Sequence, residues 1–273
     1  MISVIIPAHN EAALIGDCLS ALLASDPVAV PVEVVIVANG CTDATAEIAE
    51  EYRRQADARG WDFTVLDLPA LGKPGALNAG DAAARHPARV YLDADVTVSP
   101  ALLAGLWQVL DREAPAYASG RVRITARGAT SRRYARLWAR LPYMAQGVPG
   151  CGLFAVNAAG RARWQDFPPI ISDDTYVRLL FRPEDRHLVD APYDWPIAEG
   201  VRALVKVRRR QDAGVAEIAQ RYPALLANDD KLPLGARGKL SLAIHDPFGF
   251  LTYTGVALAV KLLPAPKDWS RGR

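Results

Sequence analysis

The chain has 273 residues, of which 51% are hydrophobic and 23% charged, and this mixture is typical of a soluble globular protein with a packed core. A formal net charge of +2 is too small to indicate a nucleic-acid-binding protein. The three cysteines lack the CxxC spacing of a zinc site, and their odd number fits a reducing, cytoplasmic compartment. The N-terminal sequence MISVIIPAHNE lacks the pattern of a signal peptide, so we do not expect export.

Short β-branched runs alternate with helical patterns over residues 1–100. This alternation predicts βαβ units and therefore an α/β fold with a mostly parallel sheet flanked by helices. The predicted strands cover residues 3–6, 32–38, 63–66 and 88–92. The predicted helices cover residues 12–23, 43–58 and 75–84, where apolar residues recur at intervals of three and four.

Four polar loops follow the predicted strands, with the sequences PAHNE, NGCTD, LGKPG and DAD. Parallel sheets bind ligands outside the carboxyl ends of their strands. We therefore expect all four loops to share one edge of the sheet.

The pattern changes after residue 100. A helix is predicted at 101–110, a strand around 116–124 and an arginine-rich helical stretch up to residue 141. A glycine-punctuated segment, GVPGCGLFAVN, and a short helix opened by SDDT come next. Since no internal repeat or low-complexity linker interrupts the chain, we predict a single domain over residues 1–273.

Asp93 and Asp95 follow the apolar run that ends at Leu92. Alternate residues of an extended segment point the same way, so both carboxylates could face one divalent cation, magnesium or manganese. The alternative is that these acids only solvate a turn or cap a helix. Ser99 and Pro100 already supply a natural cap and first residue for the next helix, which favours the cation.

Two other polar side chains have open alternatives. Asn39 could pair with the edge of a nucleobase or could form an Asx turn. Lys73 could neutralise a phosphate or could lie in solvent, because its loop lacks the spacing of a Walker motif and Pro74 would serve as a first helical residue.

Asp173 and Asp174 follow Ser172, a predicted helix cap. Acids in the first turn of a helix are favoured by the helix dipole, but one of them could also face a cleft as a general base. His245 could complete a metal shell, although a lone histidine is more often structural.

Five stretches occur in the order VIIPAHNE, VVIVANGCTDATAEIA, GKPGALNAG, YLDADV and ISDDTYVRLLF. In this order and approximate spacing, over about residues 1–210, the chain resembles the family-2 inverting glycosyltransferases of the GT-A fold. The resemblance implies a Rossmann-like sheet binding a nucleotide sugar at residues 1–100 and an acceptor-binding, catalytic half at 101–245, followed by an apolar and basic tail at 246–273.

The resemblance also implies roles for single residues. The residues that would contact the nucleotide sugar are Pro7, Ala8, Asn10, Glu11, Asn39, Lys73 and Asp93. Lys73 corresponds to the basic residue near the diphosphate, Asp93 to the residue at the ribose or sugar, and Asp95 to the ligand of Mn²⁺ or Mg²⁺. Many family members have an aspartate pair where this chain has Ala38 and Asn39, and a UDP-sugar is the expected donor.

The resemblance also implies roles for residues on the acceptor side. Gly150 and Gly152 belong to the stretch that resembles the acceptor loop, where glycine lets the backbone approach a sugar closely. Asp174 corresponds to the catalytic base, with Asp173 as the alternative. The chain has KVRRRQ in place of the Gln-x-x-Arg-Trp motif of processive synthases, so we expect transfer of one sugar. In that stretch Arg208, Arg209 and Arg210 could hold the leaving diphosphate.

Rival functions are a non-catalytic nucleotide-sugar-binding protein and a sugar nucleotidyltransferase. The presence of both Asp95 and Asp174 argues against the first, and PAHNE in place of a glycine-rich triphosphate loop argues against the second.

Two stretches favour a peripheral contact with a membrane surface and a lipid-linked or lipid acceptor. Residues 247–260 are uncharged but too few to span a bilayer as a helix. Residues 131–141 place an apolar face opposite arginines, a pattern that also fits a helix packed on the core. Basic residues follow the first stretch at Lys261, Lys267, Arg271 and Arg273.

Overall fold

The computed structural model describes residues 1–231 and 233–262. Within these ranges, eight strands form one sheet. They are β1 (Ile2–Ala8), β2 (Val32–Asn39), β3 (Asp62–Leu68), β4 (Ala88–Leu92), β5 (Thr97–Val98), β6 (Tyr117–Thr125), β7 (Leu153–Val156) and β8 (Arg186–Pro196).

Twelve α-helices lie in the same described ranges. The first nine are α1 (Ile15–Leu23), α2 (Thr45–Glu51), α3 (Arg53–Ala58), α4 (Gly72–Ala83), α5 (Leu102–Leu110), α6 (Ala129–Trp138), α7 (Pro142–Gln146), α8 (Ala158–Arg161) and α9 (Asp173–Leu179). The last three are α10 (Val201–Arg221), α11 (Ala236–His245) and α12 (Pro247–Leu262). In this part of the chain, no helix combines the length and the hydropathy needed to cross a membrane.

The sheet has the strand order β3-β2-β1-β4-β7-β6-β8-β5. Strands β3, β2, β1 and β4 run parallel, with Ile2 beside both Val32 and Ala88. Strand β7 then pairs antiparallel with β4, and it places Leu153 beside Leu92. The parallel part is the predicted βαβ region, and the later strands extend it into a mixed α/β sheet.

The first four strands match the predictions to within two residues at each end, and β4 matches them fully. Three helix predictions need correction. The helix predicted at 43–58 is divided at Tyr52 into α2 and α3, and α4 begins at Gly72, so Pro74 is its third residue. Helix α5 begins at Leu102, two residues after Pro100.

Ser99 does not cap α5. Its backbone N–H donates to the carbonyl of Pro192 in β8, and its carbonyl accepts from Leu102. Its buried hydroxyl has no hydrogen-bond partner within the described residues. The pairing of β5 with β8 fixes this turn before the helix starts, and sequence spacing could not reveal that contact.

Two compact units divide the chain: Met1–Val122 with Val148–Trp195, and Arg123–Gly147 with Pro196–Arg273. These limits differ from the predicted boundaries at residues 100 and 245, because strands β7 and β8 return to the sheet of the first unit. Lys267, Arg271 and Arg273 lie outside the described residues.

The core of the first unit lies on both faces of its parallel strands. Val4 and Ile6 of β1 pack on one face with the apolar side of α1, while Val35 and Val37 of β2 pack on the other with Ala76 of α4. Strands covered on both faces read as continuous apolar runs, which explains the sequences of β1 and β2.

The second unit contains α6, α10, α11 and α12, and its small core joins three of these helices. Tyr134 of α6, Leu204 and Val205 of α10 and Val256 of α12 are buried together. The rings of Tyr134 and Tyr253 stack with their centroids 4.9 Å apart. Helix packing therefore holds this unit together.

Candidate active site

A small cleft opens in the first unit at the carboxyl ends of β1 and β4. Parts of the chain that are far apart in sequence come together around it. Its lining residues are Pro7, Lys73, Leu77, Tyr91, Leu92, Asp93, Gly150, Gly152, Phe154, Asp173 and Asp174. The predicted gathering of polar loops at one edge of the sheet therefore occurs, and α9 adds two carboxylates to it.

Lys73 connects the acids of this cleft. Its Nζ lies 2.9 Å from Asp93 Oδ1 and 3.3 Å from Asp173 Oδ2, and its side chain is 34% exposed. Burial would lower the pKa of the Lys73 ammonium, but the surrounding carboxylates outweigh that effect and raise its pKa. Lys73 is thus a fixed positive charge facing both carboxylates, rather than a solvated side chain.

Asp173 and Asp174 occupy the first turn of α9 and have different surroundings. Asp173 is buried, and burial raises the pKa of its carboxyl while the ammonium of Lys73 opposes the shift. Asp174 is half-buried at the cleft, and its Oδ1 accepts the backbone N–H of Thr175 at 2.6 Å. Ser172 precedes the helix without a side-chain capping bond. Of the two acids, Asp174 is the more accessible to a ligand.

Asp93 and Asp95 do not continue β4 as an extended strand. The chain turns after Leu92, and the N–H of Val96 donates to the carbonyl of Asp93 at 3.1 Å. Asp93 lines the cleft, whereas Asp95 is 9% exposed. The strand alternation that predicted a shared direction for these carboxylates is therefore wrong, because the alternation holds only while the backbone stays extended.

Gly150 and Gly152 also line the cleft, and both have positive φ, at 68° and 71°. A Cβ at Gly150 would overlap the hydroxyl of Tyr117, and one at Gly152 would lie 2.8 Å from Trp195 Cδ1. Backbone conformation and packing thus require glycine at both positions. Both residues also line the cleft at the predicted acceptor loop.

The first predicted loop has mixed roles. Pro7 lines the cleft, and Ala8 is buried at the end of β1. Asn10 has a φ of 54°, and its Oδ1 accepts the N–H of Thr42 at 2.7 Å. The backbone N–H of Glu11 donates to Thr45 Oγ1 at 2.8 Å. These bonds join the PAHNE and NGCTD loops, so part of the first motif is structural.

Asn39 is buried at the end of β2, and its amide is bonded to the backbone that begins α4. Its Oδ1 accepts from Leu71 N at 2.7 Å, and its Nδ2 donates to Gly72 O at 3.0 Å. These contacts give Asn39 a structural role at the start of α4, through a neighbouring loop that no local spacing could identify. Each amide atom can form a further hydrogen bond, so the nucleobase contact stays a prediction.

Arg208 and Arg209 bond to residues of the second unit. Arg208 Nη1 donates to Tyr253 Oη at 2.9 Å and to Tyr134 Oη at 3.3 Å, and its Nε pairs with Asp212 at 3.0 Å. Arg209 donates to the carbonyl of Val260, at 3.4 Å, near the end of α12. Their expected role in holding a diphosphate is therefore not supported. Arg210 lies on the same helix and is half-exposed.

His245 ends α11 in the second unit, where its Nδ1 lies 2.8 Å from the carbonyl oxygen of Ser241. Across residues 1–231 and 233–262, no three His, Cys, Asp or Glu side chains are grouped as ligands of a metal ion.

Sequence reasoning missed the apolar wall of the cleft, formed by Leu77, Tyr91 and Phe154. Tyr91 also donates its hydroxyl to Asp81 at 3.0 Å. A signal was present for two of these residues. Leu77 lies four residues after Lys73 on one helix face, and Tyr91 lies two residues before Asp93.

The family model described as "Glycosyl transferase family 2" matches residues 3–163, which is more than half of the chain. A curated relative, the "Uncharacterized glycosyltransferase EpsJ" of Bacillus subtilis, is 33% identical over 109 residues, 39% of this chain. The matched region spans only 29% of that relative's length.

Two solved structures resemble the whole chain. One is the mannosyltransferase PcManGT of Pyrobaculum calidifontis, in complex with GDP-Man and Mn²⁺, with a TM-score of 0.61 and 22% identity. The matched region covers 97% of this chain and 76% of the PcManGT chain. S. aureus TarS 1–349 has a TM-score of 0.59 and 19% identity, covering 96% and 75%. At these identities the likeness shows the fold, which is of the GT-A type.

Proposed function

Because the chain belongs to glycosyl transferase family 2, we propose that this transferase moves one sugar from a nucleoside diphosphate sugar to an acceptor hydroxyl, with inversion at the anomeric carbon. One observation carries this proposal. The cleft at the carboxyl ends of the parallel strands joins a fixed ammonium, Lys73, with three carboxylates, Asp93, Asp173 and Asp174. Such a cleft offers a cation for a phosphate and a carboxylate for a hydroxyl proton.

The proposed donor is a UDP-sugar. Structures of the same fold include TarS 1–349 in complex with UDP-GlcNAc and PcManGT with GDP-Man, so the fold accepts nucleoside diphosphate sugars with more than one base. Pro7 and Asp93 would contact the nucleoside and its ribose, and Lys73 would lie at the diphosphate.

A divalent cation, Mn²⁺ or Mg²⁺, fits the oxygen donors of this region. Magnesium in proteins commonly binds one or two carboxylates and completes its shell with substrate phosphates and water. Asp95 would hold the cation, and the diphosphate and water would complete its shell. When bound, the cation would offset negative charge on the leaving diphosphate.

Asp174 is the proposed general base. It would accept the proton of the acceptor hydroxyl while the hydroxyl oxygen forms a bond to the anomeric carbon. The bond from that carbon to the diphosphate oxygen breaks, and the nucleoside diphosphate leaves with the bonding electrons. Attack on the face opposite the leaving group inverts the configuration.

Asp173 would have a supporting role. Its carboxylate is buried against Lys73, so it would hold the ammonium toward the diphosphate rather than meet the acceptor. The acceptor would lie against the cleft wall at Gly150 and Gly152, and a sugar or lipid-linked sugar is the proposed acceptor.

The test measures nucleoside diphosphate release from a panel of UDP- and GDP-sugars with manganese or with a chelator, alongside the melting temperature with each donor. Asp174→Asn should lower release by about a thousandfold while donor-induced stabilisation persists, because the base acts only in the chemical step. Asp166→Asn, at an exposed carboxylate in the same unit, is the matched control and should leave release unchanged.

Three results would contradict the proposal. If Asp174→Asn releases nucleoside diphosphate as fast as the wild type does, Asp174 is not the general base. Failure of every donor to stabilise the protein or release its diphosphate removes the donor class. A product whose anomeric configuration, determined by NMR, matches that of the donor removes the inverting mechanism.

A further inference from the structure

Exposed apolar side chains are concentrated on α11 and α12 of the second unit. Six of the eleven exposed large apolar residues of the described chain lie on these two helices. They are Leu240, Ile244, Phe248, Leu251, Leu258 and Leu262, each between 56% and 72% exposed. We call this set the apolar face. A contiguous exposed apolar patch on a folded protein commonly marks an interaction surface.

The spacing places the face along one side of α12. Phe248, Leu251, Leu258 and Leu262 are separated by three, seven and four residues, which keeps them on a single helix face. The opposite side of the helix is already used, because Val256 is 2% exposed in the core of this unit. Helix α12 therefore has two apolar sides, and its own unit covers only one.

Helix α11 extends the face. Leu240 and Ile244 lie one turn apart on it, both exposed, and no residue of α11 is buried. The helix packs against α12. The core of the second unit therefore does not explain why α11 is apolar.

The exposed charged side chains on α11 and α12 themselves are basic. Between residues 236 and 262 the only acid is Asp246, and it is 4% exposed and bonded to Arg136 at 2.6 Å. Arg237, Lys239 and Lys261 are exposed on the same two helices. An apolar helix face with exposed cations and no exposed acid matches an anionic lipid surface.

Helix α6 adds a cation at the edge of the face. The guanidinium of Arg133 lies 5.4 Å from the ring centre of Phe248, and both side chains are exposed. The cation and the aromatic ring are thus presented together, as at the boundary between lipid headgroups and acyl chains.

We propose that the apolar face is a docking surface for an anionic lipid bilayer, with α11 and α12 lying in the headgroup region and the basic residues on the phosphates. A second copy of the chain fits less well. A two-fold contact would bring the basic rims of both copies together, and like charges across an interface oppose association. The proposed surface is separate from the cleft residues and does not depend on the donor.

The test is co-sedimentation of the full chain with vesicles of phosphatidylcholine, with and without phosphatidylglycerol, at low and high salt. We expect binding to the anionic vesicles that weakens as salt rises. The double variant Leu251→Glu with Leu258→Glu should lower the bound-to-free ratio by about tenfold or more, because it removes two apolar anchors.

The matched control is Leu226→Glu. Leu226 is an exposed leucine of the same unit, on the 3₁₀ turn Pro223–Asn228 and not on α11 or α12, and the change adds one glutamate, as each substitution of the double variant does. It should bind as the wild type does. Ile244→Glu on α11 provides a second variant that leaves α12 intact, and it should also weaken binding. Circular dichroism and donor-induced stabilisation report whether each variant is folded.

Absence of binding to anionic vesicles at low salt would overturn the proposal. So would equal losses in Leu226→Glu and the double variant. A concentration-dependent dimer in sedimentation velocity that the double variant abolishes, without vesicle binding, would assign the face to a second copy. Vesicle binding needs no turnover, so this proposal and the proposed function can fail independently.

Discussion

Carboxylates are neutralised differently in the two units. In the first unit, Asp93 and Asp173 share one lysine, Lys73, whose side chain is one-third exposed at the cleft. In the second unit, Asp246 receives two bonds from Arg136, at 2.6 and 2.7 Å, and a third from the N–H of Gly249 at 2.9 Å. The first arrangement has more anions than cations and opens to a cleft. In the second arrangement, both carboxylate oxygens of Asp246 accept hydrogen bonds from nearby donors.

This difference distinguishes a ligand-binding site from an ion pair with a purely structural role. A carboxylate with every oxygen bonded has little capacity left for a ligand, and it stabilises the junction where it lies. Asp246 precedes Pro247, the first residue of α12, and so fastens the start of that helix to α6. The excess negative charge around Lys73 favours a cation or a proton donor instead.

The largest expected effect tests the first unit. Lys73→Met should lower the free energy of unfolding by about 3 kcal/mol, because it leaves the buried Asp173 without its cation. Adding Asp173→Asn should recover part of this loss, since it removes the unpaired charge. Urea unfolding of the two single variants and the double variant measures the coupling. If the effects simply add, the Lys73–Asp173 pair contributes no coupling energy and the contrast between the units weakens.

The control for that cycle is Lys239→Met in the second unit. Lys239 is exposed on α11, and replacing a surface lysine should change the free energy of unfolding by less than about 0.5 kcal/mol.

A somewhat smaller effect tests the second unit. Asp246→Ala should lower the free energy of unfolding by about 2 kcal/mol, because it removes both the helix cap and the partner of Arg136. Asp246→Asn should cost less, since asparagine can still cap α12. Neither variant should change donor-induced stabilisation in the first unit. Equal losses for Ala and Asn would show that the arginine pair, and not the cap, is what matters.

The smallest expected effect is a dependence on pH. The side-chain bond from Arg136, opposed by burial and helped by the N–H of Gly249, lowers the pKa of Asp246 to about 2. A lowered carboxyl pKa stabilises the folded state above about pH 4 and loses that contribution as the pH falls through about 2. Unfolding curves between these limits should show a shallower loss for Asp246→Asn than for the wild type. Parallel curves would exclude Asp246 as the titrating group.

Local pattern predicted the first-unit strands well. Strands β1, β2 and β4 are continuous β-branched runs between polar loops, and their predicted ends lie within two residues of the observed ones. The order of motifs identified the family and fold, which the family match and the solved structures confirm. Helix starts were less accurate, because α5 and α4 begin where tertiary bonds fix the backbone, as at Ser99.

The candidate site was predicted in outline but not in its contacts. Lys73 and Asp93 line the cleft at the sheet edge where their loops were expected, and Asp174 joins them from α9. The amide of Asn39 bonds to the chain at Leu71 and Gly72, and local spacing could not identify these contacts. The arginines of KVRRRQ illustrate the same limit: their charge suggested a phosphate, while the fold directs Arg208 to two tyrosines.

The sequence by itself determined the alternation of strands and helices, and hence a sheet edge on which polar loops collect, because the periodicity of apolar residues is a local property. Only the tertiary structure decided which charges meet. Lys73 faces Asp173 across a long separation in sequence, Asp246 is enclosed by Arg136, and the outer side of α12 stays exposed. These outcomes depend on how distant elements pack, and packing sets the burial and pairing from which each charge derives its role.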